Sequence, residues 1–365
     1  MYLLTLVGTR PNFIKAAPLH RAFSARAGIR SALVHTGQHH DQQMSEVFFA
    51  QLNLPKPAYH LGVGNSSVQT VTQQTAEIMC RLEPVLTTER PDWLVVIGDV
   101  TSTLAGALVA ARLGIRVAHV EAGLRSGDRQ MPEEINRILV DSLADALFVT
   151  EQSGVDNLQR EGIADHKIHF TGNVLIDALT DFLPRATARN TVGRLGLSKG
   201  SYVLLTLHRP ANVDTKAGLQ HLLQLVASTA RQCVVVWPLH PRTRANLQTF
   251  GLLSQLNSLP NVLLLEPQGY IEFLNLLDQA DLVITDSGGI QEETTWLRVP
   301  CLTLRSTTER PVTTTLGTNQ LFPDFTPETA EPVIASLLNS QPADSQIPPH
   351  WDGQTAQRIA NILTQ

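Results

Sequence analysis

Short apolar runs rich in Val, Ile and Leu recur along the chain. Each is closed by a Gly, Pro or polar turn and followed by apolar positions at helical spacing. In the first half these runs are Leu3–Val7, Ser31–His35, Trp93–Ile97, Val117–Val120, Leu147–Thr150 and Ile168–Thr171. Tyr202–Leu207, Val234–Pro238, Val262–Leu265, Leu282–Thr285 and Cys301–Leu304 continue the pattern, with Cys301–Leu304 expected as the last strand. Runs of this length and composition predict buried strands. Between them, Ile14, Ala17, Leu19 and Phe23 keep helical period, as do Val71, Ile78, Leu82 and Val85, and Ile135, Ile138, Leu139 and Leu143. Strands alternating with helices predict an α/β protein built on parallel sheets.

A chain of 365 residues is long for one core, so two domains are expected. Residues 173 to about 200 hold one helix and a polar, small-residue stretch that reads as the crossover. The expected organisation is 1–172 with 351–365 as the first domain and 173–350 as the second. Ile347-Pro348-Pro349 leads into a terminal helix, Gln357–Leu363. Two doubly wound sheets facing a shared cleft is the architecture this pattern implies.

In open parallel sheets ligands bind at the carboxyl ends of the strands, so the residues that follow each strand carry the candidate chemistry. Glu121 ends the run Val117–Val120, and an ionised group after an apolar strand needs a partner or a ligand. Asp99 occupies the same position one βα unit earlier, although an Asp there also fits a helix cap. Pro132, Glu133 and Glu134 suit the first turn of the next helix, where acidic residues also serve simply as helix-start charges. Glu133 and Arg137 are four apart and share a helical face. Arg10 and Lys15 flank the first loop and give the first hint of an anion site.

Asp286-Ser287-Gly288-Gly289 is the most informative turn of the second half. Glycines after a strand let backbone amides approach an anion, and the helix start adds partial positive charge. The spacing is neither the dinucleotide fingerprint nor the Walker lysine loop, so neither a nicotinamide cofactor nor ATP hydrolysis is indicated. A diphosphate clamped by Arg10 and Arg310 fits better. With carboxylates on the other strand ends, a nucleotide sugar follows as the expected ligand. His208, after Tyr202–Leu207, could donate a proton or bond to backbone as a structural residue.

A formal net charge of −5 without a dense basic run argues against nucleic acid as a partner. Cys80, Cys233 and Cys301 are far apart and lack metal-type spacing, so buried free thiols in a reducing compartment are expected. His39-His40-Asp41 lacks further ligands at suitable spacing, and no metal is expected. No run is long enough to span a membrane, and a cytoplasmic protein is expected.

Several motifs jointly resemble the non-hydrolysing UDP-N-acetylglucosamine 2-epimerases. They are Gly8-Thr9-Arg10-Pro11 with Ile14-Lys15, Gly98-Asp99 with Thr103-Leu104, and His119-Val120-Glu121-Ala122-Gly123-Leu124-Arg125. Pro132-Glu133-Glu134-Ile135-Asn136-Arg137, Thr171-Gly172-Asn173, Thr285 to Glu293 and Thr307-Thr308-Glu309-Arg310-Pro311 complete the set. The resemblance covers nearly the whole chain in order. It implies two Rossmann-like domains facing a central cleft (glycosyltransferase type B-like), in a homodimer, with the terminal helix returning to the first domain. It also implies inversion at C2 of a UDP-2-acetamido sugar by elimination of UDP to a 2-acetamidoglucal and re-addition, with no metal or nicotinamide.

On this resemblance Asp99, Glu121 and Glu133 match acid/base carboxylates and His208 a catalytic histidine. Arg10, Lys15, Arg137, Gln268, Phe273, Ser287, Gly288, Gly289, Glu293 and Arg310 match positions that hold UDP and substrate. The chain departs from many bacterial members at Gln38-His39-His40-Asp41, Ser66 and Arg209-Pro210-Ala211, where those members help hold a second, activating UDP-sugar. Thr36-Gly37-Gln38-His39 with Phe48-Phe49 resembles the branch acting on UDP-diacetamido-glucuronate sugars, which offers an alternative substrate. A hydrolysing epimerase and a UDP-sugar glycosyltransferase of the same fold are the enzymatic rivals.

Overall fold

The computed structural model describes residues 1–38, 49–65, 70–323, 325–339 and 345–365. The readings at His39, His40, Asp41, Phe48 and Ser66 therefore lie outside the described residues. The chain divides into two compact units, Met1–Ala178 with Pro349–Gln365, and Leu179–Pro348. The division falls inside the helix Val174–Arg189.

The first unit is built on strands β1 (Tyr2–Val7), β2 (Arg30–His35), β3 (Tyr59–His60), β4 (Trp93–Ile97), β5 (Arg116–Ala122), β6 (Ala146–Val149) and β7 (Ile168–Phe170). Their order is β3-β2-β1-β4-β5-β6-β7, and every pairing is parallel. Strands β1, β4 and β6 are buried along their whole length, as the unbroken apolar runs require when helices cover both sheet faces. Strand order reverses between β1 and β4, the kind of position at which doubly wound sheets bind ligands. The helix Thr355–Leu363 belongs to this unit, and its start is held by Asp177, which accepts the N–H groups of Thr355 at 3.1 Å and Ala356 at 2.7 Å. A carboxylate there neutralises the positive end of the helix dipole.

The second unit carries β8 (Tyr202–Thr206), β9 (Val234–Pro238), β10 (Val262–Leu265), β11 (Leu282–Thr285), β12 (Cys301–Thr303) and β13 (Asn319–Leu321). Their order is β10-β9-β8-β11-β12-β13, again all parallel, with the reversal between β8 and β11. These two Rossmann-like sheets are the α/β class expected from the alternating pattern.

Two expectations need correction, and one strand was not foreseen. Cys301–Leu304 is not the last strand, because Asn319–Leu321 adds to the edge beyond it. Tyr59–His60 is likewise a strand too short and too polar to register as an apolar run. Cys80 is exposed, Cys233 half-buried and only Cys301 buried. Cys80 lies between Ile78 and Leu82 on the helix Val71–Glu89, whose buried stripe is Ile78, Leu82 and Leu86, so helical geometry turns the thiol outward.

Candidate functional site

In the first unit the chemistry gathers at the ends of β1, β4 and β5. Glu121 lies within β5 but adopts φ +70°, a left-handed conformation that a residue with a Cβ enters only at a cost of about 1–2 kcal/mol. The register of β5 against β6 shifts between Val120 and Ala122, so Glu121 is the extra residue of a bulge. Its carboxylate is 3% exposed, and Lys15 Nζ stands 2.6 Å from Oε2 and 2.5 Å from Oε1. Lys15 comes from the helix Arg10–Ser24, with Arg10 half-buried at its start. Asn12 on the same helix accepts the N–H groups of Gly8 and Thr9 and donates to the Ile97 carbonyl at 3.1 Å. The loop after β1 is thereby tied to the end of β4.

Asp99 follows β4 and does not cap the helix Thr101–Arg112, whose N-cap is Val100. Its carboxylate pairs instead with Arg137 Nη2 at 2.5 Å, and its carbonyl accepts from Asn136 Nδ2 at 2.7 Å. Arg137 and Asn136 belong to the helix Pro132–Leu143, which buries Glu134, Asn136, Arg137, Val140 and Asp141. Ile135 and Leu139, two of its apolar positions at helical period, are 47% and 43% exposed. The helix turns its polar side inward.

The expected Glu133–Arg137 pair is replaced by Arg137 with Glu134 at 3.0 Å, while Glu133 is exposed on the first turn. Glu134 also accepts the Ser126 N–H at 2.8 Å, the Ser126 hydroxyl at 2.9 Å and the Gly127 N–H at 3.0 Å. Burial works against its charge, but those donors and Arg137 together hold the Glu134 carboxyl below its usual range.

The second unit gathers polar and charged groups at the ends of β8 and β11. Asp286 is fully buried after β11 and accepts the backbone N–H groups of His208 at 3.1 Å and Arg209 at 2.8 Å, and Asn212 Nδ2 at 3.0 Å. His208 Nδ1 stands 3.1 Å from Asp286 Oδ1, and the imidazole is 37% exposed. Burial opposes ionisation of Asp286, yet His208, Asn212 and the Arg209 N–H hold its carboxyl below the usual range. An ionised partner on Nδ1 leaves Nε2 as the ring atom available to a ligand.

The helix Gly288–Leu297 starts directly after this aspartate with Ser287 as N-cap. The Ser287 N–H is taken by Thr285 Oγ1 at 3.0 Å, so the amides of Gly288 and Gly289 open the helix start. Arg310, 7% exposed, crosses that start, with Nε 2.8 Å from Glu292 Oε1 and Nη1 3.7 Å from Glu309 Oε2. A Cβ at position 288 would lie 2.7 Å from Arg310 Nη1, so only glycine lets the guanidinium pass so close to the backbone. Glu309 is gripped by Arg305 through both guanidinium nitrogens, at 2.8 and 2.9 Å.

Glu293 accepts from the Tyr270 hydroxyl at 2.9 Å, and burial together with the Glu293 charge pushes that hydroxyl well above its ordinary range. Phe273 and Gln268 are half-buried nearby in sequence, with Gln268 Nε2 donating to the Glu266 carbonyl at 2.7 Å.

The structure thus brings Lys15 to Glu121 and Arg137 to Asp99 in one unit, and His208 to Asp286 and Arg310 to Gly288 in the other. Sequence reading missed the supporting partners Asn136, Asp141, Glu292 and Glu309, and took Glu134 only for a helix-start charge. Among the described residues no group of three or more His, Cys, Asp or Glu side chains is arranged to hold a metal ion. No helix among them is long and apolar enough to cross a membrane.

Comparison with known proteins gives the family. A family model described as UDP-N-acetylglucosamine 2-epimerase matches residues 21–364. The UDP-N-acetylglucosamine 2-epimerase of Methanocaldococcus jannaschii is 42% identical over 369 residues, covering 100% of this chain and 99% of its own. The UDP-2,3-diacetamido-2,3-dideoxy-D-glucuronate 2-epimerase of Pseudomonas aeruginosa is 39% identical over 369 residues, covering 100% of both. The crystal structure of the M. jannaschii UDP-GlcNAc 2-epimerase in complex with UDP-GlcNAc and UDP superposes with a TM-score of 0.91 at 41% identity, covering 100% of this chain and 99% of that one. This chain belongs to the UDP-N-acetylglucosamine 2-epimerase family of isomerases.

Proposed function

We propose that this chain is a non-hydrolysing epimerase that inverts C2 of UDP-N-acetylglucosamine to give UDP-N-acetylmannosamine. In this reading a carboxylate takes the C2 proton while the C1–O electron pair leaves with UDP. The C2–H electrons form the C1=C2 bond of a 2-acetamidoglucal. UDP oxygen then returns to C1 and a proton is delivered to the opposite face of C2. No net oxidation occurs, so the chemistry asks for proton transfer and leaving-group stabilisation and for neither a nicotinamide nor a metal.

The observation that carries the reading is Glu121, buried, cation-paired and held on a left-handed backbone at the end of β5. Strained, buried ionic residues of this kind concentrate at active sites. Asp99, against Arg137, and Glu121, against Lys15, supply the proton-moving carboxylates. His208 on Asp286, Arg310, and the Gly288 and Gly289 amides supply the groups that hold and release a diphosphate. The reading includes a cytoplasmic homodimer, and the exposed Ile135 and Leu139 on one helix face give a second copy an apolar surface to cover.

A second substrate is favoured by a specific relative: the 39% identity to the P. aeruginosa enzyme supports a UDP-diacetamido-glucuronate sugar. Incubation with UDP-GlcNAc alone in heavy water, followed by NMR, tests the first reading. Appearance of UDP-ManNAc with deuterium at C2 supports it. Free ManNAc and UDP would establish a hydrolysing enzyme, and unchanged substrate would refute turnover of this sugar. The same assay with the diacetamido-glucuronate substrate decides the second reading.

A further inference from the structure

His119 lies on β5, two residues before Glu121, and is 0% exposed. Its Nδ1 is 2.7 Å from Asp141 Oδ1 and its Nε2 is 2.9 Å from the Gly98 carbonyl oxygen. Burial opposes the charge on Asp141, but His119 and Arg125 hold its carboxyl below the usual range, so Asp141 accepts and does not donate. A carbonyl has no hydrogen to give either. The contacts at 2.7 and 2.9 Å therefore place each ring nitrogen against an acceptor, and the ring is clamped between the two.

What those acceptors carry is the point. Gly98 O belongs to the peptide that joins Gly98 to Asp99, so the imidazole fixes the plane from which Asp99 departs. Asp141 Oδ2 accepts the Gly123 N–H at 3.1 Å and Arg125 Nη2 at 2.7 Å, and Arg125 is gripped in turn by Glu161. The turn after Glu121 is thus fixed by the same network. Gly98 N–H also donates to the Val120 carbonyl at 2.9 Å, which closes the link between the two strand ends. Glu121 needs such support, because its left-handed backbone persists only where the surroundings overdetermine it.

We propose that His119 is a positioning residue for the reaction: its two ring N–H groups, held between Gly98 O and Asp141, set the backbone from which Asp99 and Glu121 reach the substrate. The inference rests on the proposed epimerase reading for its kinetic consequence and on the hydrogen-bond geometry for its physical content. A misplacement of about 1 Å in a catalytic group costs on the order of a hundredfold in rate.

The test compares His119→Gln with His119→Asn in the full-length protein. Gln places an amide N–H near the Nε2 position and keeps the Gly98 link, whereas Asn reaches only Asp141. The expected result is a kcat reduced about 100-fold in H119N and by no more than about tenfold in H119Q, with KM within threefold in both. Two folded variants that turn over at equal rates, or at the wild-type rate, would overturn the proposal. Should the variants not fold, NMR of the ¹⁵N-histidine-labelled wild-type protein decides. Two slowly exchanging ring N–H protons for His119 support the clamp, and a single one overturns it. Wild-type protein without epimerase activity would count against the functional reading alone, since the ring protons report on His119 independently.

Discussion

Glu121 and Lys15 form a buried ion pair between the end of β5 and the helix Arg10–Ser24, at 2.6 Å, with the Glu121 backbone at φ +70°. The pairing ties the most strained acidic residue of the first sheet to the first helix of the chain. Lys15, which the family resemblance places among the residues that hold UDP or substrate, sits on the Glu121 carboxylate.

The first prediction concerns that pair. Lys15→Met leaves a buried carboxylate without its cation and should lower unfolding free energy by roughly 3–5 kcal/mol. The double variant Lys15→Met/Glu121→Gln should recover part of the loss, because the amide carries no charge to strand. Urea unfolding of the two proteins measures both; equal stability of single and double variants would show that the pair is not the source of the effect.

Glu121→Gln should lower turnover by about 10²–10⁴-fold, the usual range for losing a positioned acid or base. UDP affinity should stay within a few-fold of wild type, since the groups assigned to the diphosphate are His208, Gly288, Gly289 and Arg310. Steady-state kinetics together with calorimetric UDP titration separates the two effects. A wild-type rate would remove Glu121 from the mechanism.

Gly288→Ala probes the approach of Arg310 to the helix start. The added Cβ would meet Arg310 Nη1 at 2.7 Å, and the guanidinium, held by Glu292, must give way. UDP binding should weaken roughly tenfold to a hundredfold, in line with losing one charge-assisted hydrogen bond worth about 1.5–3 kcal/mol. Thermal unfolding of the variant should remain cooperative. Unchanged affinity in a folded variant would detach Arg310 from the nucleotide.

Asp286 gives a pH dependence of defined sign. Its native carboxyl titrates below the unfolded value near 4, so its stabilising contribution is complete above about pH 4 and is lost as the pH falls through the native titration range. Wild type should therefore lose stability more steeply than Asp286→Asn on acidification below about pH 4. Unfolding free energies measured between neutral and acidic pH give the two slopes, and parallel curves would refute the linkage.

Much of the frame was legible in the chain alone. Unbroken Val-, Ile- and Leu-rich runs mark strands buried on both faces, and parallel sheets put the residue after each run on the ligand edge. Asp99, Glu121, His208 and Asp286 could be singled out on that ground. The apolar periodicity also found the helices that cover the sheets.

Other features were invisible because they depend on partners distant in sequence. Helical period picked out Ile135 and Leu139 as apolar positions of Pro132–Leu143 but not which side faces inward, and the helix buries Glu134, Asn136, Arg137 and Asp141. A charge can be buried only where a counter-charge or donors await it, and here Asp99, His119, Ser126 and Gly127 provide them. The pairing of Arg137 with Glu134 and not Glu133 has the same cause. The left-handed turn at Glu121 has no glycine to announce it; a register shift against β6 and the hydrogen bonds around it impose that conformation. Local pattern determined where strands and loops fall, and tertiary contact decided which charges go inside, because burying a charge is favourable only when its partner has already been brought to it.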